Sequence, residues 1–255
     1  MDAAAPRSLP VISARGRPRA ALRLGIWLVA LYAAWTGVLF VGYRVLLPLA
    51  PARLSWLREA YFMGAEFVVW LLPVLWLAGR AASTPGVDVR GALAWLTLRP
   101  MGGGGTALLA AGTWFAVQFC VSRVERGVWL PPVGLAYGPI GAASTLVLGP
   151  LYEEILFRGF ALRSLREAGA RPFAAVTLSS LAWVGLHAPG WLFHAFYDAR
   201  PLAPAVHDAV ALMLLGIVLG VLQLRTRALL IPIAVHIAHN IWNEGVARWL
   251  LAAFG

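Results

Sequence analysis

The sequence predicts an all-α fold, a polytopic integral membrane helical bundle of seven to eight transmembrane helices. Three observations carry that reading. Of 255 residues, 60% are hydrophobic and 13% are charged, where a soluble domain of this length carries about a quarter charged residues. The mean hydropathy is +0.76. The apolar residues fall in runs near the roughly 20 residues that a helix needs to cross a bilayer.

The elements follow in order. Residues 1–20 form a polar, arginine-containing tail. The apolar run at 24–47 is longer than the roughly 7–15 residues of a signal-peptide core, so it reads as an uncleaved first span. Further spans are expected at 60–79, 104–122, 138–162, 172–190, 206–224 and 228–254. The last is one helix, or a span plus a short terminal helix, which is the difference between seven and eight. Segment 91–98 is too short to cross and reads as interfacial. Gly102 to Gly105 and the Pro131-Pro132 pair punctuate loops. The chain thus divides into the tail at 1–20, N-terminal transmembrane helices at 21–137 and a transmembrane core at 138–255. No internal repeat and no separate soluble domain is visible.

The net charge is +10, and every basic residue is arginine. These arginines are scattered between apolar runs, unlike the clustered basic face of a nucleic-acid binder, so no nucleic acid is expected. They read instead as loop charges that set topology in a lipid bilayer. With the N-terminus cytoplasmic, 13 arginines fall on the cytoplasmic side and 7 on the other, with Arg158 set aside as intramembrane. That excess follows the positive-inside rule. The arginine- and alanine-rich composition points to a GC-rich bacterial genome, and so to a multi-pass protein of the cell inner membrane. The single cysteine, Cys120, permits no disulfide within the chain and no CxxC metal site. It is more plausible as a small apolar residue than as a thiol nucleophile.

Ionisable groups inside spans are costly and are functional candidates by default. Three clusters stand out. In Glu153-Glu154-Ile155-Leu156-Phe157-Arg158, Glu154 and Arg158 are four apart on a helix and share a face. Their pairing leaves Glu153 pointing about 100° away, free to serve another site. In Trp183-Val184-Gly185-Leu186-His187 a histidine sits on an apolar helix, where a lone imidazole is more often a hydrogen-bonded core residue than a catalyst. His194, with Asp198 and Arg200, reads as interfacial. In His236-Ile237-Ala238-His239-Asn240, His236 and Asn240 share a face. His239 could take the place of His236, and the bland reading of the whole cluster is a polar helix–helix contact. Gly216 and Gly220 form a GxxxG that marks close helix packing.

Together the clusters offer more than each alone. A carboxylate can take a proton from water, imidazole can share that work, and further donors can hold an oxyanion. The same groups could bind a metal, although no HExxH is present.

The three motifs, Glu153-Glu154…Arg158, Trp183…His187 and His236…Asn240, resemble those of the CPBP family (CAAX proteases and bacteriocin-processing enzymes), also called the CAAX prenyl protease 2 or ABI family. The resemblance covers residues 138–243 in order and spacing, with Trp183 where phenylalanine is commoner. It implies an intramembrane endopeptidase that cleaves near the membrane-proximal C-terminus of a membrane-anchored protein or peptide. By the same resemblance Glu153 is the general base, and His187 is its partner in activating water. His236 and Asn240 form the oxyanion side, and Glu154 with Arg158 forms a structural ion pair. A myxosortase-like sorting role is one branch of the family that the composition suits. The family's metal-dependent description would make Glu153, His187 and His236 zinc ligands. That would leave no second carboxylate as base, which favours a glutamate-type mechanism with no cofactor, zinc being the alternative. The competing classes are a proton-coupled transporter, whose relays use the same residue types, and a catalytically silent immunity or binding protein.

Overall fold

The computed structural model describes residues 17–46, 48, 55–81, 96, 104–126, 139–197, 199 and 201–243. Among these residues there are seven long helical stretches and no strand. We label them α1 (17–46), α2 (55–81), α3 (Gly104–Arg126), α4 (139–167), α5 (Pro172–Tyr197), α6 (Ala203–Thr226) and α7 (Leu230–Asn243).

Among the described residues, five stretches are long and apolar enough to cross a membrane: Ala21–Leu46, Trp56–Gly79, Gly105–Val124, Ile140–Glu167 and Ala203–Thr226. They account for five of the seven expected spans. The span expected at 172–190 lies within α5, which has the length at 26 residues. It carries Ser179, Ser180, His187 and Pro189, which lower its apolarity. The span expected at 228–254 is described only to Asn243, so its division into one helix or two lies outside the described residues. So do the tail before Arg17, the Pro131-Pro132 pair and segment 91–98 apart from Leu96. Leu96 itself is buried.

Each helix chooses an inward face by size and shape, since lipid accepts apolar side chains on every other face. In α1, Leu24, Trp27, Leu31, Trp35 and Leu39 recur every three or four residues and are buried, while Leu22, Ile26 and Val29 face outward. Trp27 meets Phe160 of α4 edge-on at 5.0 Å, and Trp35 meets Trp70 of α2 at 4.6 Å. The Tyr32 hydroxyl donates to the Ala182 carbonyl of α5 over 2.6 Å. The first span is therefore built into the core of the bundle.

Two tight connections set the level of the polar residues. Between α4 and α5 the chain turns through Gly169 at φ 94°, a left-handed position that suits glycine. The Ala170 N–H bonds back to the Leu165 carbonyl, a Schellman closure. Glu153 precedes this turn, and Trp183 follows it, by similar numbers of residues. At equal rise per residue the antiparallel pair brings them level. The α6–α7 turn is similarly short, closed at Arg227 with φ 54°, whose N–H bonds back to the Gln223 carbonyl.

Gly216 and Gly220 do what their spacing predicts. A Cβ at Gly216 would stand 3.0 Å from Ser180 and Trp183, and one at Gly220 2.9 Å from Val176. Helix α6 therefore packs closely on α5 only because these side chains are absent.

Candidate active site

Helix α4 is not a uniform α-helix. Ser144–Leu148 and Ile155–Ala161 are π-helical turns flanking the α-helical Gly149–Glu154. The first has a cause in the sequence. Pro150 lacks an N–H and cannot continue the ladder. The Gly149 N–H reaches back five residues to the Ser144 carbonyl. In that register the Thr145 carbonyl would be served by residue 150, which is proline. The side chain of Asn240 serves it instead, with Nδ2 donating over 2.8 Å.

Glu154 and Arg158 pair as their spacing predicts, at 3.0 Å and with both side chains fully buried. The pair is more than a brace for its own helix. Oε1 of Glu154 also accepts from Nδ1 of His236 over 2.9 Å. An acceptor on Nδ1 places the proton there and leaves Nε2 as the basic nitrogen. Arg158 donates through Nη2 to the Gly216 carbonyl at 3.3 Å, and its guanidinium lies 4.4 Å from the Trp183 ring centre. One buried ion pair thus ties α4 to α5, α6 and α7.

Glu153 points elsewhere, as its 100° offset requires. Its Oε2 accepts from the Trp183 indole N–H over 2.5 Å and stands 3.9 Å from Nε2 of His236. The Trp183 ring is fully buried and meets His236 edge-on at 5.2 Å and His187 at 5.8 Å. His187 spends Nδ1 on the Trp183 carbonyl, 3.1 Å away, which leaves Nε2 as its other nitrogen; its ring stacks on Trp191. The imidazole nearest Glu153 through a ring nitrogen is therefore that of His236, where the sequence reading paired Glu153 with His187.

The remaining polar residues separate cleanly. His239 turns to α3, with Nδ1 3.0 Å from Nε2 of Gln118 and Nε2 2.8 Å from Nδ2 of Asn243. It pins α7 to α3 and leaves the facing role to His236. His194 lies at the far end of α5 against Tyr43. Asp198 and Arg200 lie outside the described residues. Cys120 is exposed on α3.

The zinc alternative requires three converging ligands. Among the described residues, no group of three or more His, Cys, Asp or Glu side chains stands close enough to hold a metal ion. His236 Nε2 faces Glu153 Oε2, which also accepts the Trp183 N–H, so two of the three donors stand together. The donor set Glu153, His187 and His236 does not form a three-ligand site in this arrangement.

Three features at the site were not singled out in the sequence. The indole donor of Trp183 was hidden because an aromatic at that position reads as packing. The Thr145 carbonyl was hidden because a backbone acceptor carries no residue-type signal, although Pro150 five residues on foreshadows it. Glu66 did carry the signal, an ionisable group inside the apolar run at 60–79, and its Oε2 accepts from the Ser144 hydroxyl over 3.2 Å.

Residues 135–242 match the family model for type II CAAX prenyl endopeptidase, Rce1-like. The match spans all three polar motifs and most of α4 through α7. No curated protein and no solved structure matches the chain.

Proposed function

We propose that this chain is an intramembrane endopeptidase that hydrolyses a peptide bond within the bilayer, a reading supported by the match of residues 135–242 to the type II CAAX prenyl endopeptidase, Rce1-like family model. The substrate is a membrane-anchored protein or peptide, cut near its membrane-proximal C-terminus. The single observation that carries the reading is the 3.9 Å approach of His236 Nε2 to Glu153 Oε2 inside an apolar bundle.

The chemistry follows from acceptor placement. With Nδ1 protonated toward Glu154, His236 offers a lone pair at Nε2. A water hydrogen-bonded to this nitrogen and to the Glu153 carboxylate has both protons directed at bases, leaving its lone pair for a carbonyl carbon. Glu153 takes the proton and later returns it to the leaving amine. The Trp183 indole holds the carboxylate in its rotamer. Asn240 has two amide hydrogens, of which one is given to Thr145. The second is the donor for the developing oxyanion. His187, with Nδ1 anchored, presents Nε2 as a second imidazole for the same carbonyl or the leaving group. Each of these steps uses side chains of this chain alone.

The protein is multi-pass in its membrane; the arginine distribution supports a cytoplasmic N-terminus, and the arginine- and alanine-rich composition supports a bacterial inner membrane. The test compares substrate-protein C-termini by mass spectrometry in cells with wild-type protein and with Glu153→Gln. Truncated C-termini that appear only with wild type are the expected result. Identical C-termini in both, with the two proteins equally expressed, would refute proteolysis.

A further inference from the structure

The proposed site takes most of its groups from the segment that matches the family, but one acidic side chain comes from outside it. Helix α2 carries Glu59 and Glu66, seven residues apart and so on one face. Both turn toward α4. Glu59 Oε2 accepts from the Gly141 N–H over 2.9 Å. That amide is in the first turn of α4, where N–H groups lack helical acceptors, so Glu59 has an end-capping role.

Glu66 has no such account. It reaches α4 deeper in the bundle, and the group it meets is a side-chain hydroxyl, Ser144 Oγ at 3.2 Å. Ser144 is buried and opens the π-helical turn caused by Pro150. The next residue is Thr145, whose carbonyl holds Asn240 at 2.8 Å. Glu66 therefore meets α4 one residue before the carbonyl that holds Asn240. A carboxylate kept in an apolar span to grip a single hydroxyl calls for a reason at that hydroxyl.

We propose that Glu66 is a positioning residue of the active site, which holds Ser144 and thereby the Thr145 carbonyl that orients Asn240. This rests on the proteolytic reading above, with Asn240 on the oxyanion side. The chain Glu66–Ser144–Thr145–Asn240 fixes one amide hydrogen of Asn240 and so aims the other. Without Glu66 the π turn loses its outer anchor, and the Asn240 amide loses its direction while substrate binding is unaffected.

The test measures kcat and KM in proteoliposomes, with fluorogenic peptides that carry an apolar membrane anchor. Glu66→Ala is expected to lower kcat by about tenfold, the worth of one hydrogen bond in the transition state, with KM within about twofold. Ser144→Ala gives the same result and stands in if Glu66→Ala fails to fold. Glu66→Gln, whose amide oxygen still accepts from Ser144, recovers kcat to within about threefold of wild type. The double variant Glu66→Ala/Asn240→Ala is no slower than Asn240→Ala alone, because both changes act through one donor. Additive losses in the double variant, wild-type kcat in Glu66→Ala and Ser144→Ala, or a Glu66→Gln as slow as Glu66→Ala would each overturn the assignment. The two readings fail differently. If Asn240→Ala is slow and Glu66→Ala is not, only the role of Glu66 falls. If wild type cleaves nothing, the proteolytic reading falls first.

Discussion

The indole N–H of Trp183 donates to Oε2 of Glu153 over 2.5 Å, and that same oxygen faces Nε2 of His236. In the proposed mechanism Glu153 is the base, which needs a fixed direction as much as a free lone pair, and this bond supplies the direction. Trp183→Phe keeps the ring face near Arg158 and the ring edge against His236 while it removes the donor. We expect kcat to fall by about tenfold with thermal stability nearly unchanged, since the bond is worth about that in a charge-assisted pair. Steady-state kinetics beside a thermal melt check it. Unchanged kcat would show that Glu153 is oriented by something else.

In the proposed mechanism the two adjacent glutamates have different roles. Glu153→Gln keeps the shape, and the Gln side-chain oxygen still accepts from Trp183, but the base is gone. Turnover should fall by on the order of a hundredfold to ten-thousandfold, with the melting temperature close to wild type. Glu154→Gln has a double effect. It leaves Arg158 buried without a counter-charge, a loss of about 3–5 kcal/mol, and it releases Nδ1 of His236. Both stability and turnover should drop. A stable, inactive Glu154→Gln beside a working Glu153→Gln would reverse the two roles.

Much of this was legible in the sequence, and what was legible was local. The pairing of Glu154 with Arg158 and the shared face of His236 and Asn240 follow from a four-residue spacing, which every helix obeys. The close packing at Gly216 and Gly220 follows from the absence of side chains. What escaped depends on which helices meet. No spacing within α7 says that His236 turns to Glu154 and His239 to Gln118, because that choice is made by α3 and α4. No residue type announces the Thr145 carbonyl. Five of the expected spans meet the length and apolarity of a crossing helix among the described residues, while α5 has the length but trades apolar residues for the serines and histidine that the bundle interior uses.

The close approach of α6 to α5 gives a prediction about packing. Gly220→Val would set its Cβ 2.9 Å from Val176 Cγ1, tighter than side chains tolerate. Separation of the helices should cost about 1–3 kcal/mol, read as a lower melting temperature in detergent. Gly216→Ala places its methyl 3.0 Å from Trp183 and so should slow turnover as well, through the indole that holds Glu153. Wild-type kinetics in Gly216→Ala would show that Trp183 tolerates the shift.

The last prediction concerns metal. The contact between Glu154 and Nδ1 of His236 is the kind of outer-shell bond that metal-bound histidines make, so the pairing alone does not decide the chemistry. The placement of the other donors carries the expectation. Oε2 of Glu153 faces His236 and also accepts an indole N–H. A cation between them would have to draw in His187 as its third ligand, and among the described residues no such group of three converges. Two ligands in place of three bind zinc weakly. We therefore expect protein washed with chelator to keep its turnover, with zinc well below one equivalent by elemental analysis. Under this arrangement Asn240→Ala should cost about a hundredfold in kcat by removing the oxyanion donor. Stoichiometric zinc that is lost in His187→Ala, together with apoprotein activity restored by added zinc, would show that the ligands close around a metal after all.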